Sequence, residues 1–348
     1  MTPAIGGGLD TVDVAPYAEA AADAHERFAA KMWPGKRRRR ESRYNRWKFR
    51  GAETGPVEGL LLAVSDGEVV GQLGLIPAVL SVDGRRLPCQ WACDLMVDSS
   101  LRRRGIMSLL LNAALARDTV TLGSNASAGA DLTMQRIGFR PVRGPVIAVF
   151  PLQPSHAIGW KVPARFEGLR QFLGATARPW FRWRGRRMLG QADSAAQVER
   201  GEWRLVTDLV ARRQAAQPDP YIVHDETFLS WRCDGLPGYV HRLQALRTNA
   251  GSYAIVGRGV PYFYVYDWAA ESWQDFIALF GAAAALAVEA RAMTIQAYAH
   301  SLAERSWLRE AGFLLLRQPC QILCHPPSRL LPQHSLMRYS IFDSDGNL

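Results

Sequence analysis

Residues 93–112 read Cys-Asp-Leu-Met-Val-Asp-Ser-Ser-Leu-Arg-Arg-Arg-Gly-Ile-Met-Ser-Leu-Leu-Leu-Asn. An apolar strand is expected to end at Val97, a basic turn of Arg102, Arg103, Arg104 and Gly105 follows, and an apolar helix starts at Ile106. A strand running through a glycine turn into a helix leaves backbone N–H groups unpaired beside the positive end of the helix dipole. That is a ready anion site. Three arginines in the turn add fixed positive charge suited to phosphate.

Upstream, the apolar runs Leu60–Ser65, Val69–Val82 and Leu87–Val97 are joined by Asp66-Gly67-Glu68 and Asp83-Gly84. Asp-Gly between apolar runs is a strong hairpin signal, so an antiparallel meander is predicted to lead into the turn. The alanine-rich residues 17–31 predict a helix closed by Pro34 and Gly35. Downstream the pattern predicts a helix over 106–117, a strand over Val120–Asn125, a helix over Ala128–Ile137 and, past Gly144-Pro145, a strand over Val146–Phe150. The fold class is α/β, of the α+β kind. Residues 151–200, with Pro151, Pro154, Pro163 and Pro179, read as an irregular linker.

Beyond that linker the layout recurs. Trp47-Lys48-Phe49 is echoed by Trp231-Arg232-Cys233, Asp94 by Asp267, and Arg136-Ile137-Gly138-Phe139 by Glu310-Ala311-Gly312-Phe313. Asp94 and Gly138 are 44 residues apart, and Asp267 and Gly312 are 45 apart. Echoes that keep order and spacing imply an internal duplication, with domains at 1–150 and 201–348. At the offset of 173, Arg102 falls on Asp275 and Gly105 on Ala278, inside an apolar helix over Trp273–Ala290. Only the first half keeps a basic glycine turn, so one anion site per chain is predicted.

Arg102-x-x-Gly105, set between strand and helix with Gly138-Phe139 downstream, resembles the acyl-CoA pyrophosphate loop of the GNAT acyltransferases, Arg/Gln-x-x-Gly-x-Gly/Ala. The whole chain resembles a tandem GNAT protein whose second domain is degenerate, each domain a mixed, mostly antiparallel central sheet flanked by helices. The Trp-Lys/Arg pattern and Asp343-Ser344-Asp345 also resemble bacterial tandem GNAT proteins of surface-polysaccharide pathways, some of which acylate nucleotide-linked amino sugars. The resemblance implies acetyl-CoA or another acyl-CoA as co-substrate, no metal, and direct transfer from thioester to a primary amine. It implies pyrophosphate on the backbone N–H groups of Arg103, Arg104, Gly105, Ile106, Met107 and Ser108. Pantetheine would lie along Leu95, Met96 and Val97, with Ser124 and Asn125 on the cofactor's other side. Two departures stand out. Met107 occupies the family's Gly/Ala position, and the tyrosine acid expected four residues before Gly-Phe is Met134 in one half and Leu308 in the other.

An alkylamine is mostly protonated at neutral pH, so transfer needs a base. Asp94, in the strand before the loop, is the candidate; satisfying nearby backbone groups is its alternative role. A degenerate second domain is expected to shape the acceptor site through His224, Asp225, Glu226, Tyr264 and Asp267. Tyr262, Tyr264 and Tyr266 equally suit one stripe of a strand at period two. Asp343 and Asp345 suit a cationic amine or a polar tail.

The 348 residues carry a net charge of +10, which favours an anionic partner: nucleic acid, a membrane surface or a phosphate-rich cofactor. No apolar run of about 18 residues is present, so a spanning helix is not expected. Met1–Asp10 does not read as a signal peptide, and five sparse cysteines fit reduced thiols, which together predict a cytoplasmic location. Cys320, Cys324 and His325 resemble a metal set, but Gln-Ile-Leu between the cysteines reads as buried strand. Two basic segments offer competing readings. Lys36–Arg40 with Arg43, Arg46, Lys48 and Arg50 suits nucleic-acid phosphates, whereas the interleaved Tyr44, Trp47 and Phe49 suit a buried helix face. Arg178–Arg187 interleaves rings and arginines, which suits peripheral membrane contact or an interdomain clamp. A non-catalytic acyl-CoA-binding partner protein is the remaining class.

Overall fold

The computed structural model describes residues 12–35, 37–117, 119–124, 126–153, 164–166, 168–169, 171–173, 175–176, 179, 198–235, 243–259, 262–326 and 336–343. Two compact units emerge, Met1–Val142 with Gln321–Ser335, and Arg143–Cys320 with Leu336–Leu348. Two of the three divisions, at 142/143 and 320/321, fall inside strands, so the units differ from a simple cut at 150 and 200.

In the first unit β1 (Asp13–Tyr17), β2 (Val57–Ser65), β3 (Glu68–Val82), β4 (Arg85–Val97) and β5 (Val120–Ser124) lie side by side in that order. Both Asp-Gly turns place two successive residues at positive φ: Asp66 at 52° and Gly67 at 76°, Asp83 at 49° and Gly84 at 74°. That twist matches the flanking strands and explains why Asp-Gly marks these hairpins. Helix Ile106–Leu115 packs Ile106, Leu110 and Leu111 into a core with Leu61, Leu73, Leu75 and Phe139. The alanine-rich helix starts at Ala22, because Asp13–Tyr17 is spent as β1 against β2.

In the second unit β7 (Val198–Gly201), β9 (Gln244–Thr248), β10 (Tyr253–Arg258), β11 (Tyr262–Ala269) and β12 (Thr294–Ala299) form the sheet, with a two-residue β8 at Tyr221–Ile222. Its order is β12-β11-β10-β9-β7. Helix Trp273–Glu289 buries Phe276, Leu279, Phe280 and Ala283 in an apolar core.

The duplication reappears as topology. β4 and β5 pair in parallel from Cys89↔Val120, and β11 and β12 pair in parallel from Tyr262↔Thr294. Each of these first strands carries a one-residue bulge, facing Gln72–Gly74 in β4 and Ile255–Val256 in β11. The last strand of each half is exchanged. β6 (Arg140–Pro151) pairs Val146–Pro151 with Ala299–Thr294 of β12, while β13 (Leu314–His325) pairs Ile322–His325 with Ser124–Thr121 of β5.

Candidate active site

The loop after β4 is built from its ends inward. Asp98 accepts from the Ser100 N–H at 3.0 Å and holds a short 3-10 turn over Ser99–Leu101, and Lys31 Nζ donates to Asp98 at 2.6 Å. Arg103 and Gly105 then take left-handed backbone, at φ 68° and 82°. Gly105 is the N-cap of helix Ile106–Leu115 and supplies no side-chain acceptor to its first turn. A Cβ at Gly105 would meet open space, so backbone conformation, not crowding, is what demands glycine. The N–H groups of Ile106, Met107 and Ser108 lack intrahelical partners, and Arg102, Arg103 and Arg104 stand exposed around them. The strand, glycine turn and uncapped helix start follow one another as the sequence leads one to expect. Met107 is half-buried and packs against the first core, as do Leu95, Val97 and Leu101.

Beside the loop two parallel strands part. The described ladder of β4 with β5 ends at Ala92↔Gly123, whereas β4 continues to Val97. Leu95, Met96 and Val97 are half-buried along this stretch, and Ser124 ends β5. Asn125 lies outside the described residues. The bulge at the divergence holds Asp94 at φ 47°.

Asp94 does not stand alone there. Lys48 Nζ, fully buried, donates to its Oδ2 at 2.6 Å, and Arg39 donates to Oδ1. Burial alone would raise the pKa of this carboxyl, but the two cations outweigh it and hold Asp94 below the usual carboxylate range. A carboxylate so paired is a weak proton acceptor, and the geometry suits an anchor for Lys48 and Arg39. Gln72 Nε2 donates to the Asp94 carbonyl at 3.4 Å, and its Oε1 accepts from His25 Nε2 at 3.1 Å. That bond fixes the tautomer, leaving His25 Nδ1 buried and without a partner among the described residues. Burial lowers the His25 pKa and keeps the ring neutral.

Lys48, Arg39, His25 and Gln72 escaped the sequence reading. Lys48 and Arg39 were counted in a basic segment, and only the aromatic spacing hinted that part of it turns inward. Tyr44 and Phe49 are indeed buried. Arg46 is also engaged, donating to Ala52 and Gly55 carbonyls and pairing with Glu19 at 3.1 Å. Arg39, Arg46 and Lys48 of the basic segment are therefore tied into the fold, whereas Lys36 and the side chains of Arg37 and Arg38 lie outside the described residues. At the family's tyrosine position, Met134 is buried in the first core, where its Sδ–Cε end lies against Gly123. Leu308 is buried in the second.

In the second unit the same helix start is self-satisfied. Three residues separate β11 from helix Trp273–Glu289, against eight between β4 and its helix. A constant offset therefore misassigns the loop: the counterpart of Gly105 is Ser272, not Ala278. Ser272 Oγ accepts from the Asp275 N–H at 3.1 Å and donates to the Asp275 carboxylate at 2.9 Å. An internal anion occupies the dipole end, and no basic turn precedes it.

The expected acceptor residues are only partly brought together. His224 is buried between Asp343, 2.9 Å from Nε2, and Asp267, 3.6 Å from Nδ1. Burial would lower the His224 pKa, but both carboxylates raise it to about 9. Tyr253 donates to Asp267 at 3.1 Å. Phe342 stacks on Tyr266 and meets the His224 ring edge-on, and Arg232 donates to the Phe342 carbonyl, so residues 340–343 fill this cluster. Asp225 instead caps the short helix Glu226–Leu229, whose Glu226 is exposed while Phe228 and Leu229 are buried, and Tyr264 is buried between Tyr262 and Tyr266. The tyrosines form the period-two stripe rather than an open pocket. Ser344 and Asp345 lie outside the described residues, as does all of Arg178–Arg187 except Pro179.

Residues 17–119 match the family model for an acetyltransferase (GNAT) domain. No curated protein matches the chain. Among solved structures it is similar to a GCN5-related N-acetyltransferase from Kribbella flavida, with 17% identity, a TM-score of 0.58, and coverage of 90% of this chain and 71% of that one. A GCN5-related N-acetyltransferase from Anabaena variabilis gives 11%, 0.56, 90% and 72%. N-myristoyltransferase from Saccharomyces cerevisiae, solved with bound myristoyl-CoA, gives 11%, 0.54, 91% and 83%. At such identities these likenesses speak to the fold. Together with the domain match over residues 17–119, they give the chain a GNAT-type fold with an acetyltransferase-domain match in its first unit.

Proposed function

We propose that the protein moves an acyl group from acetyl-CoA or another short acyl-CoA directly onto a primary amine of a small molecule, at one site in its first unit. The observation that carries this reading is the contrast between the two helix starts. In the first unit Gly105 leaves the N–H groups uncapped among three arginines, whereas Ser272 and Asp275 close the second. The backbone N–H groups of Arg103–Ser108 would hold the pyrophosphate, and the free edge of β4 at Leu95–Val97 would pair with the pantetheine arm. In that arrangement the thioester would lie beside the Asp94 bulge.

The amine must arrive there without its proton. Asp94, held ionised by Lys48 and Arg39, is better suited to fixing the bulge than to accepting it. Departure of the thiolate needs no dedicated acid, since a thiol of pKa near 8.5 leaves readily, and Met134 supplies none. Amino sugars, including nucleotide-linked ones, are the acceptors first to be screened.

Thermal unfolding with and without acetyl-CoA, joined to a thiol-release assay over amino sugars, polyamines and amino acids, tests the proposal. A ligand at about 100 times its dissociation constant adds about 2.7 kcal/mol. No shift with any acyl-CoA removes the proposal. A shift with no thiol release from any amine leaves an acyl-CoA-binding protein, the reading that Met134 and Leu308 favour.

A further inference from the structure

Neither described ladder of β4 pairs Asp94 or Leu95. On one side the ladder with β5 stops at Ala92↔Gly123, and on the other the register against β3 jumps from Gly74↔Cys93 to Gln72↔Met96. A bulge leaves its extra residue out of the ladder, so no regular pairing sets how the peptide between Asp94 and Leu95 is rotated. Asp94 also sits at φ 47°, where few residues other than glycine are placed.

A side chain takes over that task. Gln72 Nε2 donates to the Asp94 carbonyl at 3.4 Å, and Gln72 Oε1 lies 3.1 Å from His25 Nε2. A carbonyl only accepts, so the amide nitrogen must face Asp94, the amide oxygen must face His25, and His25 must donate from Nε2. The His25 ring is held in turn against Tyr17, with centroids 5.3 Å apart and planes at 81°. All three side chains are buried. The arrangement leaves His25 Nδ1 without a partner among the described residues. Two apolar side chains would fill the same space with no orphaned acceptor, so packing alone does not call for this pair.

In a trans peptide the C=O and the following N–H point in opposite directions. Holding the Asp94 carbonyl toward Gln72 therefore turns the Leu95 N–H away from it. Leu95 is the first residue of the free β4 edge and the one next to the bulge. We propose that Gln72, oriented by His25, is a positioning residue that aims the Leu95 N–H at the thioester oxygen of a bound acyl-CoA. This rests on the acyl-CoA reading of the Leu95–Val97 edge. A donor fixed in that direction binds the oxygen before reaction and more strongly as negative charge develops on it. The Asp94 carboxylate, paired with Lys48 and Arg39, anchors the same residue through its side chain.

Calorimetric titration of the full chain with acetyl-CoA and with S-ethyl-CoA, the thioether that lacks the carbonyl oxygen, tests this without turnover. The wild-type chain should prefer acetyl-CoA about fivefold, the size of one neutral hydrogen bond. Gln72→Met should bind the two equally, and its kcat for thiol release should fall about tenfold, by more than KM rises. His25→Phe should do the same and serves if Gln72→Met does not fold, whereas His25→Gln keeps a donor and should keep the preference. The double variant Gln72→Met, His25→Phe should be no worse than either single one, since both act through one bond. Lower stability with an unchanged preference and kcat shows a packing role only and overturns the proposal. So does an acidic limb of the kcat/KM profile that disappears in His25→Phe but persists in Gln72→Met, which makes His25 the proton acceptor. Equal wild-type binding of both ligands overturns the aim of the Leu95 N–H alone, and binding of neither removes the acyl-CoA site and this inference with it.

Discussion

Asp94 shows what residue types alone conceal. A carboxylate in the strand before a cofactor loop reads as a base, but its partners lie 46 and 55 residues away, and no local pattern announces them. Once Lys48 and Arg39 are placed, the expectation changes from proton transfer to anchoring. Asp94→Asn leaves a fully buried Lys48 without its counter-charge and should cost about 3–5 kcal/mol, read by urea unfolding. Adding Lys48→Met should return part of that loss, since the fully buried ammonium is then no longer stranded, while Arg39 still lacks the Asp94 carboxylate. If Asp94 is nevertheless the base, Asn should abolish the acidic limb of the kcat/KM profile in protein that is still folded. Wild-type activity across pH in that variant removes the base role altogether.

A second residue prediction concerns His224. Its folded pKa of about 9 lies above the ordinary value near 6.5, so the stabilisation is fully present below pH 6.5 and is lost as pH rises through 9. The shift corresponds to about 3 kcal/mol across that window. His224→Gln should unfold more easily at pH 6 and lose most of the wild-type decline between pH 6.5 and 9. An unchanged slope would mean that Asp267 and Asp343 do not hold the ring charged.

At the scale of elements, the hairpins and the loop were legible because their signals are local. Asp-Gly dictates a turn whatever surrounds it, and a glycine between arginines and an apolar run dictates an uncapped helix start. β1 was not legible: Asp13–Tyr17 adjoins an alanine-rich helix, and only its pairing with β2 makes it a strand. The loop in the second half was misplaced because insertion and deletion concentrate in connections, so a constant offset fails where function resides. The two helix starts give a paired prediction. Gly105→Val forces a β-branched residue to φ 82° and should abolish the acetyl-CoA thermal shift. Ser272→Ala removes a helix cap, should cost about 1 kcal/mol of stability, and should leave that shift intact. Equal loss of the shift in both variants would place the cofactor elsewhere.

At the scale of the whole molecule, the duplication was readable from three echoes, but the exchange of last strands was not. β6 and β13 are equivalent in their two halves and comparably apolar, so sequence cannot say which sheet each completes. The consequence is that neither half is a self-sufficient chain. Residues 1–150 would end with β6 lacking β12, and β5 lacking the Ile322–His325 pairing that carries Leu323 into the first core. An open sheet edge and a missing core side chain both favour aggregation over folding. Residues 1–150 expressed alone should therefore show no cooperative thermal transition and should self-associate. Extending that fragment through a flexible glycine-serine linker to residues 314–326 should restore a cooperative transition and, with it, the acetyl-CoA shift of the first unit. A cooperative, monomeric fragment 1–150 would mean that β6 can close its own half, and the exchange would then be a choice between two nearly equal pairings rather than a requirement of the fold.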